Sequence, residues 1–132
     1  MTIAEYLESV KALLLTSPII TSFQIIRERQ TVVDAHLRVR LALSDGGLLE
    51  FSEYVQYLPD NTIAIVTYSY HWAASNGNLR RRWDNTPHFP DHPGFPHHIH
   101  DGETNTVLAG IATNVFAIFE EIEQRLGNSF GT

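Results

Sequence analysis

LRVRLALSDGGLLEFSEYVQY, Leu37 to Tyr57, decides the fold. Leu37, Val39, Leu41 and Leu43 alternate with Arg38 and Arg40, and the alternation reaches back to His36, so one face of a strand is apolar and the other polar. Asp45-Gly46-Gly47 then offers residues that accept positive φ, the requirement of a tight hairpin. Leu49, Phe51, Val55 and Tyr57 resume the apolar side of a second strand. Two antiparallel strands with one wet face imply that something apolar covers the other.

Reading towards the N-terminus, Thr2 and Glu5 have the spacing of a capping box, and Ile3, Tyr6, Leu7, Val10, Leu13 and Leu14 recur at helical spacing. This helix ends near Ser17-Pro18, and Phe23 to Arg29 reads as a strand. Towards the C-terminus, Pro59-Asp60-Asn61 turns the chain into Thr62 to Trp72, and Asn76-Gly77 turns it into Leu79 to Asn85. Val107, Leu108, Ile111, Val115, Ile118, Phe119, Ile122 and Leu126 trace a final helical stripe, with Gly127 as its C-cap. Short connections favour a meander, so the expected fold is α+β. It comprises a single domain over residues 1–132, with an antiparallel sheet of about five strands, a helix at each end and a loop before the last helix.

A chain of 132 residues is an ordinary size for one domain, and 43% apolar with 18% charged residues suits a globular core. The absence of cysteine excludes disulfides, thiolate metal sites and cysteine nucleophiles. The longest apolar runs, such as Ile63 to Val66, fall far short of the ~20 residues that span a bilayer. No secretory signal is visible at MTIAEYLESVK, and the expected compartment is the cytoplasm. The net charge of −6 argues against indiscriminate nucleic-acid binding. Arg80 to His100 is nevertheless cationic, with three arginines against Asp84 and Asp91.

That segment includes a loop that holds five of the seven histidines and four of the six prolines between Asn85 and Gly102. Prolines exclude helix and central strand there. Pro87, Pro90, Pro93 and Pro96 recur every third residue, the period of a polyproline II turn, which would stiffen the loop and let Phe89 or Phe95 anchor it on the sheet. The bland alternative is a rigid spacer. His88, His92, His97, His98 and His100 could ligate a metal, but no HExxH or other spaced signature is present and histidine-rich tracts bind metals on composition alone. No metal ligand is therefore assigned, and no cofactor is called for.

Acid–base chemistry is the other use of clustered imidazoles. Metal-independent RNA cleavage needs a base for the 2′-hydroxyl proton, an acid for the leaving oxygen and a cation for the phosphorane. His71, Glu53, Tyr68, Tyr70 and Arg82 offer such groups close in sequence. Glu53 falls in phase with Leu49, Phe51, Val55 and Tyr57, so it needs a hydrogen-bonding or cationic partner, or a bulge that turns it outward. Surface exposure also explains His36 with Arg38 and Arg40, and a solvated strand explains Arg80-Arg81-Arg82.

The segments DGGLLEFSEYV, YSYHW and RWDNTPHFPDHPGFPHHIH, with the terminal helix, resemble the TumE-type toxins of bacterial toxin–antitoxin systems, formerly a domain family of unknown function. The resemblance runs from about Leu41 onward and is most specific from Arg82 to His100. The residues that match its pattern include Asp45, Gly46, Phe51 to Tyr54, Tyr68, Tyr70, His71, Arg82, Asp84, Asn85, Pro87, His88, Pro96 to His98, and His100. Arg80 and Arg81 stand where apolar residues are usual, and Ile99 replaces a common lysine, removing one candidate phosphate contact. The resemblance implies a toxin paired with a helix-turn-helix antitoxin protein and a ribonuclease-like mechanism. His71, His88, His97 and His98 become candidates for the acid–base roles, Arg82 for phosphate contact, and Glu53 for orienting a histidine. Tyr68, Tyr70, Arg80, Arg81, Asn85 and His100 become candidates for RNA contact. Self-association as a homodimer stays open, no membrane is involved, and the competing class is a non-enzymatic module that binds a metal or a partner through the loop; a third reading is a toxin that binds its target without cleaving it.

Overall fold

Thr2 starts the first helix as the capping box requires: its hydroxyl accepts from Glu5 N at 3.1 Å and the Glu5 carboxylate accepts from Thr2 N at 3.1 Å. The resulting helix α1, Ile3–Thr16, buries Ile3, Tyr6, Leu7, Val10 and Leu14 along one stripe. It ends at Ser17, just before Pro18. In this computed structural model the described residues are 1–87 and 89–130, with the side chains of 128–130 excepted.

The strands follow in chain order: β1 (Ile20–Gln30), β2 (Asp34–Leu43), β3 (Leu48–Tyr57), β4 (Ile63–Ala73), β5 (Leu79–Asp84), β6 (His98–Asp101) and β7 (Thr106–Ala109), before α2 (Val115–Phe130). All pair antiparallel with their sequence neighbours, so the sheet is a seven-stranded meander in the order β1 to β7. Period-two alternation sends Leu37, Val39, Leu41, Leu43, Leu49, Phe51, Val55, Tyr68, Tyr70, Trp72 and Trp83 to one face. There they form a core with the apolar stripes of both helices, including Val115, Ile118, Phe119, Ile122 and Leu126 of α2. The opposite face carries no helix among the described residues.

Among the described residues the strands number seven rather than about five. His98–Asp101 lies in the sheet as β6, where the sequence reading has loop, and Val107 and Leu108 belong to β7, where it has the start of the helical stripe. Helix α2 begins at Val115 and runs through Gly127 to Phe130, so Gly127 is not its C-cap. Val107 and Leu108 satisfy either period, and pairing with His100 and Ile99 resolves them as strand.

The prolines form consecutive turns rather than a polyproline rod. His92 N donates to Phe89 O at 3.0 Å, Phe95 N to His92 O at 3.3 Å and His97 N to Gly94 O at 3.0 Å. Gly94 has φ +84°, and a Cβ there would lie 2.1 Å from Gly110 O, so glycine is required by both conformation and space. This close approach ties the loop to the end of β7. Phe89 anchors its other part, with its ring edge-on to His98 and His100 at centroid distances of 5.3 and 6.0 Å. Phe95 is exposed.

Candidate functional site on the open sheet face

The polar positions of β2 to β6 line up across the sheet in two adjacent rows. One row runs Arg38, Ser52, Ser69, Asp84, His98, each directly opposite the next. The other runs Arg40, Glu50, His71, Arg82, His100, again each opposite the next. Because the members are two residues apart along every strand, both rows share the helix-free face. Arg38, Glu50, Phe51, Ser52, Ser69, His71 and Arg82 line a concavity of about 300 Å³ there.

Asp84 is the hub at one end of it. Its carboxylate is almost fully buried; Oδ1 lies 2.9 Å from His98 Nε2 and accepts from Thr86 N at 3.1 Å. Oδ2 lies 2.9 Å from Arg82 Nε and 3.9 Å from His100 Nε2. His98 Nδ1 faces the Pro96 carbonyl at 3.1 Å. A carbonyl oxygen only accepts, so Nδ1 carries a proton and Nε2 is the atom turned towards Asp84. Arg82 remains substantially exposed, and the His100 ring is partly exposed.

His71 sits directly opposite Arg82. Burial, and secondarily the Arg82 charge, lower its pKa, while Glu50 acts in the other direction. Both lowering effects favour the neutral imidazole, the form whose lone pair can act as a base. Glu50 is itself clamped by Arg38 at 3.0 Å and Arg40 at 2.9 Å.

A family model described as the toxin TumE matches residues 10–126 of the chain. The chain belongs to the TumE toxin family. As such a toxin it has a cognate antitoxin as partner. No curated protein and no solved structure matches it significantly. Among the described residues no helix is long and apolar enough to cross a membrane.

The expected site residues of this TumE-family chain divide between the two faces. His71, Arg82, His98 and His100 come together on the open face. Adjacent in sequence, His97 and His98 point to opposite sides: His97 Nδ1 lies 2.9 Å from the Tyr68 hydroxyl and its ring stacks on Tyr68. Burial first, and the Asp84 charge second, push the Tyr68 pKa up to about 12. Glu53 and Tyr70 lie in the core. The Glu53 carboxylate accepts from the Tyr6 hydroxyl, from Tyr70 Oη at 2.5 Å and from Val115 N at 3.1 Å, so its partners are two tyrosines and the N-terminus of α2. Among the described residues no histidine contacts it.

Arg80 lies over the Trp72 ring at 4.3 Å and near Asp45 at 3.5 Å. Arg81 reaches Asp101 at 3.9 Å and Glu121 of α2 at 3.8 Å. Asn85 bridges the backbone of β4, accepting from Tyr68 N at 3.0 Å and donating to Val66 O at 2.9 Å. His88 lies outside the described residues. Sequence reasoning gave no role to Asp84, Ser52 or Ser69, although the recurrence of polar residues two apart on successive strands was the available signal.

Proposed function

We propose that the protein is a toxin that cleaves single-stranded RNA on the open face of its sheet. The observation that carries this reading is that Arg82 has His71 and His100 as its two direct cross-strand partners, placing a guanidinium between two imidazoles. Neighbouring strands are about 4.8 Å apart, so the two histidine backbones lie roughly 10 Å from each other, with room for a phosphodiester over Arg82.

In this reading neutral His71 takes the 2′-hydroxyl proton and the 2′-oxygen attacks phosphorus. The bond from phosphorus to the 5′-oxygen breaks, the 5′-oxygen leaves with a proton from the imidazolium of His100, and a 2′,3′-cyclic phosphate remains. Arg82 balances the charge of the phosphorane, with Asp84 and His98 holding it in place. Ser52, Ser69 and Arg38 supply donors along the strand that enters the concavity. Its expected setting is the cytoplasm, with a helix-turn-helix antitoxin masking this face, and no cofactor is required for the steps described. His97 with Tyr68, and Arg80 with Arg81, serve the fold in this reading rather than the reaction.

The test is cleavage of a mixed RNA substrate by purified protein in chelator, with products examined for cyclic phosphate ends. His71→Gln and Arg82→Gln should each lower the rate by roughly 10²-fold or more while circular dichroism is unchanged. Folded wild-type protein that cleaves no RNA, or a His71→Gln variant with full activity, would overturn the proposal.

A further inference from the structure

We infer that Asp84, His98 and His100 form a binding site for a divalent transition cation of the zinc class. One donor atom from each lies within 4.8 Å of the others, and Asp84 and His98 are almost fully buried. The three are brought together by backbone pairing: Asp84 closes β5, while His98 and His100 stand two apart on β6, with His98 directly opposite Asp84. They are thus carried by the sheet rather than by the turns of the loop.

The atoms around them have the arrangement that orients metal ligands. A ligating imidazole typically donates its other N–H to a carbonyl or carboxylate, which fixes the tautomer. The proton on His98 Nδ1 towards Pro96 O does this and leaves Nε2 facing Asp84. Ligating carboxylates are likewise held from outside, and Thr86 N donates to Asp84 Oδ1.

An ion bound about 2.0–2.1 Å from each donor at tetrahedral angles sets the donors roughly 3.3 Å apart. That value falls between the 2.9 Å from His98 Nε2 to Asp84 Oδ1 and the 3.9 Å from His100 Nε2 to Asp84 Oδ2, and with one donor of each residue within 4.8 Å of the others, closing the set takes shifts of at most about 1.5 Å in any donor pair. Arg82, the competing cation on Asp84, is exposed enough to swing towards solvent. Two imidazole nitrogens and one carboxylate favour zinc, nickel, cobalt or copper over magnesium or calcium.

This site is argued independently of the ribonuclease reading, although all three ligands have a part in that reading, His100 as the acid and Asp84 with His98 in holding Arg82. Chelator-stripped full-length protein is titrated with zinc chloride in a calorimeter without RNA, and its melting temperature is followed with and without zinc. One equivalent should bind and raise the melting temperature. His100→Gln, on a partly exposed ring, should weaken binding by at least roughly tenfold, and Asp84→Asn likewise. His97→Gln and His92→Gln should leave it unchanged, because His97 points to the other face and His92 is outside the set. No binding, or equal losses at His92, His97 and His100, would overturn the proposal, the latter marking binding by histidine content alone. Cleavage in chelator is scored separately, so loss of either conclusion leaves the other readable.

Discussion

Replacing Glu53 with alanine tests the most demanding polar arrangement in the core. The carboxylate is 2% exposed and accepts from three buried donors: the hydroxyls of Tyr6 and Tyr70 and the backbone N–H of Val115. Alanine removes the acceptor for all three, and each stranded donor costs about 1–3 kcal/mol. The variant also loses packing but is relieved of desolvating a carboxylate, so the lower end of the range is appropriate, a net loss of ~3 kcal/mol. With an m-value of about 2 kcal/mol/M in urea, the midpoint should fall by roughly 1.5 M. Tyr6→Phe gives a sign test. In the wild type it removes one good hydrogen bond and should cost about 1 kcal/mol, whereas in Glu53→Ala it removes a stranded hydroxyl and should cost nothing or stabilise. Burial raises the pKa of Glu53 against the opposing hydrogen bonds, so the folded state binds its proton more tightly than the unfolded chain does. That contribution is complete below pH 4.5 and is lost as pH rises through the folded-state pKa; Glu53→Gln should flatten this part of the stability profile. A loss below 1 kcal/mol in Glu53→Ala, or an equal cost of Tyr6→Phe in both backgrounds, would refute the account.

If His71 is the base, the acidic limb of the rate profile should have its midpoint below pH 6.5, because burial and Arg82 lower the pKa; rates at fixed RNA concentration across pH 4.5–8 measure this, and a midpoint above 6.5 would contradict it. Phe89→Ala should cost about 1 kcal/mol and reduce amide protection from Asp91 to His97 in hydrogen exchange, since the ring holds the turns against His98 and His100. Tyr68→Phe should leave RNA cleavage within about twofold of wild type, because Tyr68 and His97 lie on the other face, and a loss near that of His71→Gln would return them to the reacting site.

Local signals carried most of the fold. The capping box at Thr2 and Glu5, the hairpin at Asp45-Gly46-Gly47 and the alternation from Leu37 to Tyr57 each depend on residues close in sequence, and each has its structural counterpart. Where the reading fell short, the deciding partner was remote. Val107 and Leu108 fit a helical stripe until β6 supplies a strand to pair with, and a four-residue strand is too short to declare a period. The three-residue proline period implied an extended rod, but positive φ at Phe89 and Gly94 folds the segment into turns that return to the sheet.

The site was legible as an inventory but not as an arrangement. Composition pointed to the loop, whereas the residues that meet are strand residues at its borders, Arg82 and Asp84 before it and His98 and His100 after it. Alternation alone separates His97 from His98, and a one-residue change of register would exchange them. Asp84 shows the point most clearly. In the sequence it is one acid beside three arginines, and only the pairing of β4, β5 and β6 places Ser69 on one side of it and His98 on the other. The same register that buries Trp83 between Tyr70 and Ile99 thereby exposes Arg82 between His71 and His100. Core packing therefore sets the spacing of the charged row: a substitution that slips β5 against β4 would move Trp83 out of the core and Arg82 into it, at a cost in buried surface that holds the reactive groups in place.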